Sequence, residues 1–407
     1  MAMGAKWSYQ QWRPGGERAS FDGITLDSRM HCGGGQDFVR VAEGHYRFRA
    51  RVHLAPYTWR FLIRVDSPGD GREITLEVAD FNHEGRTPWH ESGTVFSTDT
   101  MTWQPFDLSR LEIVDWTPTG YPEIDGAYGD ATHVPYGVRY RLRLDAPRVW
   151  LASPTPFTLQ HRDALLRDQQ SLHPGQVKTF TIGCSAHSAR TGYPVKMARV
   201  SGPGEWHHRT SVFVVAGEHP AETAGMYACE GGMREVISRH DWLERYAFFF
   251  VPILNVDGVF FGRTYLNVSP GITDGPGVNL SDTWDHRPAP EQRDLWRLLW
   301  GLRPDLLVCL HNGRHRHEME QFDDGGARAP LVAEHLRREL GHRLVEAGRM
   351  REGRLPLKAV RQRNAGQGYL TETLLLERLA DSATPRDSYL EVGRQLARGY
   401  VAAMDEI

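Results

Sequence analysis

The feature that most constrains the fold is a change in hydrophobic texture about 155 residues into the chain. Beyond it, short uninterrupted apolar runs at 177–183, 211–216, 246–254 and 306–310 alternate with helical patterns at 223–239, 290–301, 331–347 and 388–404. Continuous apolar runs are what strands covered on both faces require. Their alternation with helices predicts an α/β sheet with helices on both sides. In such sheets, sites form beyond the carboxyl ends of the strands. Before the change, the pattern has period two. Ile74, Leu76 and Val78 alternate with Thr75 and Glu77, and Val138, Tyr140, Leu142 and Leu144 alternate with Arg139, Arg141 and Arg143. Alternation puts one face on a core and the other in water. With the mixed aromatic and branched run at 59–65 and turn clusters such as 67–71, this predicts an antiparallel β-sandwich.

A chain of 407 residues suits two domains. Hydrophobic residues at 40% and charged residues at 24% fit a soluble globular protein. A formal net charge of -3 gives no electrostatic case for nucleic acid or for an anionic membrane surface as partner. No apolar run approaches the ~20 residues of a membrane helix, and the first residues lack the apolar core of a secretory signal. Cys32, Cys184, Cys229 and Cys309 are far apart and form no Cys-x-x-Cys pair. A cytoplasmic protein without a thiolate metal site is therefore expected.

Directly after the run at 211–216 comes Gly217-Glu218-His219-Pro220-Ala221-Glu222, and a helical pattern then begins. His219 and Glu222, three apart across a tight turn at a strand end, can converge on one ion at about 2 Å. The run at 306–310 leads into His311, a possible third ligand. Three N/O ligands with a fourth position open to water is the arrangement of catalytic zinc. Spacing alone leaves alternatives open. His-x-x-Glu arises by chance in many chains, a strand-end histidine is often a surface or capping residue, and His315 and His317 compete as ligands.

Six motifs follow one another along the second half. They are Gly183-Cys184-Ser185 with Gly192-Tyr193-Pro194-Val195; His219-Pro220-Ala221-Glu222; Leu254-Asn255-Val256-Asp257-Gly258-Val259; Gly277-Val278-Asn279-Leu280 with Trp284 and Pro290-Glu291; Leu310-His311; and Thr371-Glu372-Thr373. Over roughly residues 175–407 their order resembles the zinc carboxypeptidase family, especially its cytosolic carboxypeptidase branch. The resemblance implies a carboxypeptidase-like catalytic domain at 159–407, an α/β fold with a mixed, mostly parallel sheet flanked by helices. The antiparallel β-sandwich at 1–158 precedes it, as a similar domain does in that branch. It implies Zn2+ held by His219, Glu222 and His311. It also implies Glu372 as general base, with Glu377 its nearest competitor, and Tyr369 as a substrate contact. The implied reaction is hydrolysis of an amide bond in a peptide or small acylated amino acid. Zinc lowers the pKa of water to about 7 and polarises the carbonyl, while a carboxylate takes and returns the proton.

Two departures bear on substrate. The family's asparagine–arginine pair, which grips a terminal carboxylate, is matched by Ser281 and Asp282. An aspartate repels a carboxylate and accepts an ammonium or guanidinium group; alternatively it faces solvent and a remote arginine takes over. Tyr265 stands where the cytosolic branch has an oxyanion-stabilising arginine. Arg263 is close enough to substitute, and Arg314 and Arg316 are further candidates. Losing such a donor costs about a hundredfold or more in rate. The expectation is a zinc-dependent amide hydrolase of non-standard specificity. The alternative is a catalytically impaired binding module that keeps the fold. A further reading gives the first domain a ligand platform of Trp89, Trp103, Trp116 and Tyr128, residues that otherwise pack as core.

Overall fold

The computed structural model describes residues 16–50, 60–81, 94–115, 136–264, 266–268, 277–281, 283–284, 287–312, 319–323, 329–341, 344–349, 369–375 and 385–406. The strands at 319–323, 344–349 and 369–375 are described by their backbone alone. The chain divides into two compact units, Met1–Pro156 with Gly258–Gly277, and Phe157–Asp257 with Val278–Ile407. The expected linear division at 158/159 does not include the return of 258–277 to the first unit. That return is anchored by backbone. Cys32 N donates to Phe260 O at 3.0 Å, and Arg60 Nη1 donates to Arg263 O at 2.6 Å.

The first unit contains β1 (Arg18–Phe21), β2 (Ile24–Asp27), β3 (Gly35–Ala42), β4 (His45–Ala50), β5 (Phe61–Asp66), β6 (Glu73–Phe81), β7 (Val95–Ser97), β8 (Gln104–Pro105), β9 (Leu111–Asp115), β10 (Tyr136–Arg143) and β11 (Arg148–Ser153). They form two sheets, ordered β1-β2-β5-β11-β7-β8 and β3-β4-β6-β10-β9. Neighbours are antiparallel except β4 and β6, which run parallel. The alternation in β10 follows the expected pattern: Val138, Tyr140 and Leu142 are buried, while Arg139 reaches Glu77 at 2.8 Å. Phe61 of one sheet meets Phe48 and Tyr140 of the other, with ring centroids 5.3 Å and 6.1 Å apart. Trp103 is a buried residue here rather than part of an open platform. Trp89, Trp116 and Tyr128 lie outside the described residues.

The second unit contains β12 (Val177–Gly183), β13 (Val195–Ser201), β14 (Thr210–Ala216), β15 (Tyr246–Val251), β16 (Leu306–Asn312), β17 (Met319–Asp323), β18 (Leu344–Arg349) and β19 (Tyr369–Leu375). Its sheet is mixed, ordered β12-β13-β15-β14-β16-β19-β17-β18, with a parallel centre from β15 to β19. The longer helices are α1 (Leu159–Leu172), α2 (Thr223–Ser238), α3 (Pro290–Leu302), α4 (Ala329–Leu340) and α5 (Pro385–Asp405). The helical pattern expected at 331–347 stops early, because Gly341 takes a left-handed φ of 62° and the chain then enters β18. A left-handed glycine is a common helix stop, and the apolar spacing beyond it mimicked another turn. Among the described residues, no helix is long and apolar enough to cross a membrane.

Helix α2, which leaves the candidate site, is held by backbone contact with α5. A Cβ on Gly231 would lie 2.0 Å from Leu390 O, and one on Gly393 would lie 2.0 Å from Ala228 O. In an exposed helix, glycine to alanine gains up to about 1 kcal/mol. Here the added methyl must push the helices apart, so Gly231→Ala and Gly393→Ala are each expected to lose about 1–3 kcal/mol in a urea melt. A gain in stability would contradict the close crossing.

Candidate metal centre

Strands β14 and β16 are parallel neighbours, with Ala216 opposite Leu310. The segments leaving their carboxyl ends therefore start side by side. After Ala216, Gly217 takes a φ of 68° and turns the chain. The turn is pinned from the following strand. Leu254 N donates to Ala216 O at 3.0 Å, Asn255 N to Gly217 O at 2.9 Å, and Asn255 Nδ2 to Glu218 O at 2.9 Å. A second tie joins two of the sequence motifs: Asp257 accepts from Ser185 Oγ at 2.6 Å and from His187 N at 2.9 Å.

Glu222 precedes the first turn of α2, and its side chain makes no capping hydrogen bond to the helix. Its two oxygens face two imidazoles instead. Oε1 lies 2.6 Å from His219 Nδ1, and Oε2 lies 2.9 Å from His311 Nδ1. All three side chains are buried, and one ligand atom from each falls within 4.8 Å of the others. An ion with bonds of about 2 Å bridges that span with a small adjustment, and an N/O/N donor set suits zinc. Burial pushes the Glu222 carboxyl up, but the facing His219 and His311 outweigh it and hold the pKa at about 2. The group is thus an anion, the form a metal needs.

The outward ring nitrogens also have neighbours. His219 Nε2 lies 2.9 Å from Ser281 Oγ and 3.0 Å from Asn279 Oδ1, and Ser281 Oγ donates to Asn279 Oδ1 at 2.9 Å. Ser281, expected against substrate, thus stands behind a histidine of the metal set. His311 Nε2 faces Glu218 Oε2 at 3.4 Å. The sequence reading assigned no role to Asn279 or Glu218. The only signal was their place, within one motif and directly before another.

The remaining candidates are less closely placed. In the parallel pairing of β16 with β19, Glu372 lies opposite Cys309 and Leu374 opposite His311. This sets the backbone of Glu372 one strand over from the metal set, and the side chains of Glu372 and Tyr369 are outside the described residues. Arg263 is fully buried and grouped with the first unit. Asp282, Tyr265, Arg314, His315, Arg316, His317 and Glu377 lie outside the described residues.

One residue that no motif signalled sets the geometry. A Cβ on Gly225, in the first turn of α2, would lie 2.7 Å from Leu310 O, next to His311. Only glycine lets Glu222 start its helix this close to the end of β16. Gly225→Ala is expected to weaken zinc binding by about tenfold or more in chelator competition. Gly301→Ala, where nothing lies within 4 Å of the added methyl, serves as the unchanged control. Equal zinc affinity in Gly225→Ala and the parent would contradict the role.

Residues 163–295 match the family model Peptidase_M14, described as zinc carboxypeptidase. The matched span holds His219 and Glu222, while His311 and Glu372 lie beyond it. A search of curated proteins found no match. Among solved structures, the chain is similar to a metallo-carboxypeptidase from Burkholderia cenocepacia, with a TM-score of 0.72 and 16% identity, covering 94% of this chain and 99% of that one. It is also similar to a metallo-carboxypeptidase from Pseudomonas aeruginosa in complex with (2-guanidinoethylmercapto)succinic acid, with a TM-score of 0.69 and 18% identity over 94% and 99% of the two chains. At these identities the likeness is one of fold. Residues 163–295 thus match a zinc carboxypeptidase family model, and the chain shares the fold of the metallo-carboxypeptidases.

Proposed function

We propose that this protein is a zinc-dependent hydrolase that cleaves an amide bond in a peptide or acylated amino acid, with Glu372 as general base. The observation that carries the reading is the convergence of His219 and Glu222, which follow β14 within the family-matched segment, with His311 near the carboxyl end of the neighbouring strand β16. A bound zinc ion there supplies Lewis acidity, acidifying water and polarising the amide carbonyl. The chain's own residues do the rest. His219, Glu222 and His311 would hold the ion, and Glu372 would carry the proton from water to the leaving amine. The register of β19 beside β16 supports Glu372 in that role. Tyr369, earlier on the same strand, is proposed as a substrate contact. Arg263 enters as the oxyanion donor on its position in the motif alone.

Specificity is proposed to differ from that of ordinary carboxypeptidases. The Ser281 hydroxyl is engaged with His219 and Asn279, and Asp282 replaces the arginine that would grip a carboxylate. A substrate with a cationic or blocked terminus fits this better than a free carboxylate does. A cytosolic-branch affinity and a cytoplasmic setting belong to the same proposal; none of the four cysteines is in a disulfide.

Glu372→Gln is expected to retain zinc and to lose activity by about 10²–10⁴-fold. The check is a panel of free, amidated and acylated peptides and amino acids assayed beside the parent. Full activity in Glu372→Gln would remove it as the base. Bound zinc with no turnover of any amide by the parent would favour the binding-module alternative.

A further inference from the structure

The two histidines of the metal set differ in what stands behind them. His219 Nε2 meets the neutral oxygens of Ser281 and Asn279 at 2.9 Å and 3.0 Å. His311 Nε2 faces a carboxylate, Glu218 Oε2, at 3.4 Å, an ion-pair distance at which the two atoms form no hydrogen bond with each other. Glu218 is 1% exposed and His311 is 2% exposed. A carboxylate so far from water costs several kcal/mol unless charge or hydrogen bonds compensate it. Among the described residues, the ion pair recorded for Glu218 is the one with His311. No lysine or arginine among the described residues pairs with it.

The other half of the carboxylate is fixed from behind. Trp284 Nε1 donates to Glu218 Oε1 at 3.1 Å, and Trp284 is itself 1% exposed. The backbone is fixed as well, since Asn255 Nδ2 donates to Glu218 O at 2.9 Å. Main chain and one oxygen are thus tied down, and the second oxygen lies 3.4 Å from His311 Nε2 without a hydrogen bond of its own. Nothing in an ordinary turn demands this arrangement. Glu218 sits immediately before His219, where an apolar side chain would fill the same buried space without the desolvation cost.

The chemistry of the imidazole explains the choice. His311 directs Nδ1 toward Glu222 Oε2, 2.9 Å away. A nitrogen that binds a metal uses its lone pair, so in the neutral ring the proton must sit on Nε2. An acceptor at Nε2 selects that tautomer, resists rotation of the ring, and makes Nδ1 a better donor to the ion. A carboxylate does this more strongly than a neutral oxygen, because a charged acceptor roughly doubles the strength of the bond.

We propose that Glu218 is a positioning residue for the metal. With the ion bound it would close the 3.4 Å gap and accept the Nε2 proton of His311, fixing the tautomer and ring orientation that present Nδ1, while Trp284 holds Glu218 in place. The proposal rests on the zinc reading above. Its consequence is a division of labour: Asn279 and Ser281 stand behind His219, while Glu218 stands behind His311.

The test uses the full-length chain, with zinc alone as probe. Zinc affinity is measured by competition with a chromophoric chelator for the parent, Glu218→Gln and Trp284→Phe, and each metal-free form is melted to follow the fold. Glu218→Gln is expected to bind zinc about 10–100-fold more weakly, with a metal-free melting temperature at or above the parent's. Trp284→Phe is expected to show a smaller loss. The double variant should lose no more than Glu218→Gln alone, because Trp284 acts through Glu218. In the zinc-loaded parent, the His311 Nε2 proton should give a strongly deshielded NMR resonance that Glu218→Gln removes; a merely structural role would leave it in place. Parent-like zinc affinity in Glu218→Gln, or loss of metal-free stability without loss of affinity, overturns this proposal while leaving the zinc site standing. If Glu218→Gln does not fold, Trp284→Phe decides by the same two readouts. A parent that takes up no zinc overturns the reading beneath both.

Discussion

The pairing of β14 with β16 is the contact on which the site depends. Two parallel strands in register place the last residue of β14, Ala216, opposite Leu310, and β16 runs two residues further. Whatever follows each strand must emerge within a few ångströms of the other. On one side the chain turns at Gly217 and delivers His219 and Glu222; on the other the strand continues directly into His311. The sheet thus does the long-range work, joining residues 89 positions apart in the chain through a hydrogen bond between Glu222 and His311. Helix α2 then keeps the arrangement in place, since Gly225 allows its first turn to lie against β16 and Gly231 allows its middle to lie against α5.

Electrostatics completes what packing begins. Two imidazoles facing one buried carboxylate keep Glu222 ionised against the effect of burial. The oxygen that converges with the two ring nitrogens is therefore an anion. Around them lies a second layer of polar groups, Asn279, Ser281 and Glu218, each meeting an outward ring nitrogen. A site organised in two layers restrains the rings more tightly than three ligands alone can.

Much of this was legible in the residues. The strands at 177–183, 211–216 and 306–310 announced themselves as uninterrupted apolar runs, and the structure has strands at Val177–Gly183, Thr210–Ala216 and Leu306–Asn312. β14 and β16 are buried nearly throughout, as such runs require, whereas β12, read as a buried strand, is the edge of its sheet and mostly exposed or half-buried, with Phe180 in water. The meeting of His219, Glu222 and His311 was legible through motif order, because sequence spacing carries no information on which strands pair. What escaped was three-dimensional in origin. The return of 258–277 to the first unit depends on contacts with Cys32 and Arg60, which no local pattern encodes. The end of α4 was hidden because the apolar spacing of β18 continues the helical rhythm past Gly341. The tight contact at Gly225 was invisible because a helical glycine reads as a weak helix former, not as a place where a strand comes near. Ser281 was read by its place in a family-like motif, whereas its hydroxyl lies against His219.

The most direct test of the account is zinc K-edge X-ray absorption on the purified protein, together with its metal content. The account predicts one zinc per chain with nitrogen and oxygen ligands at about 2.0–2.2 Å and the multiple scattering of two imidazoles. A spectrum dominated by sulfur at about 2.3 Å, or one without the two-imidazole signature, would contradict it.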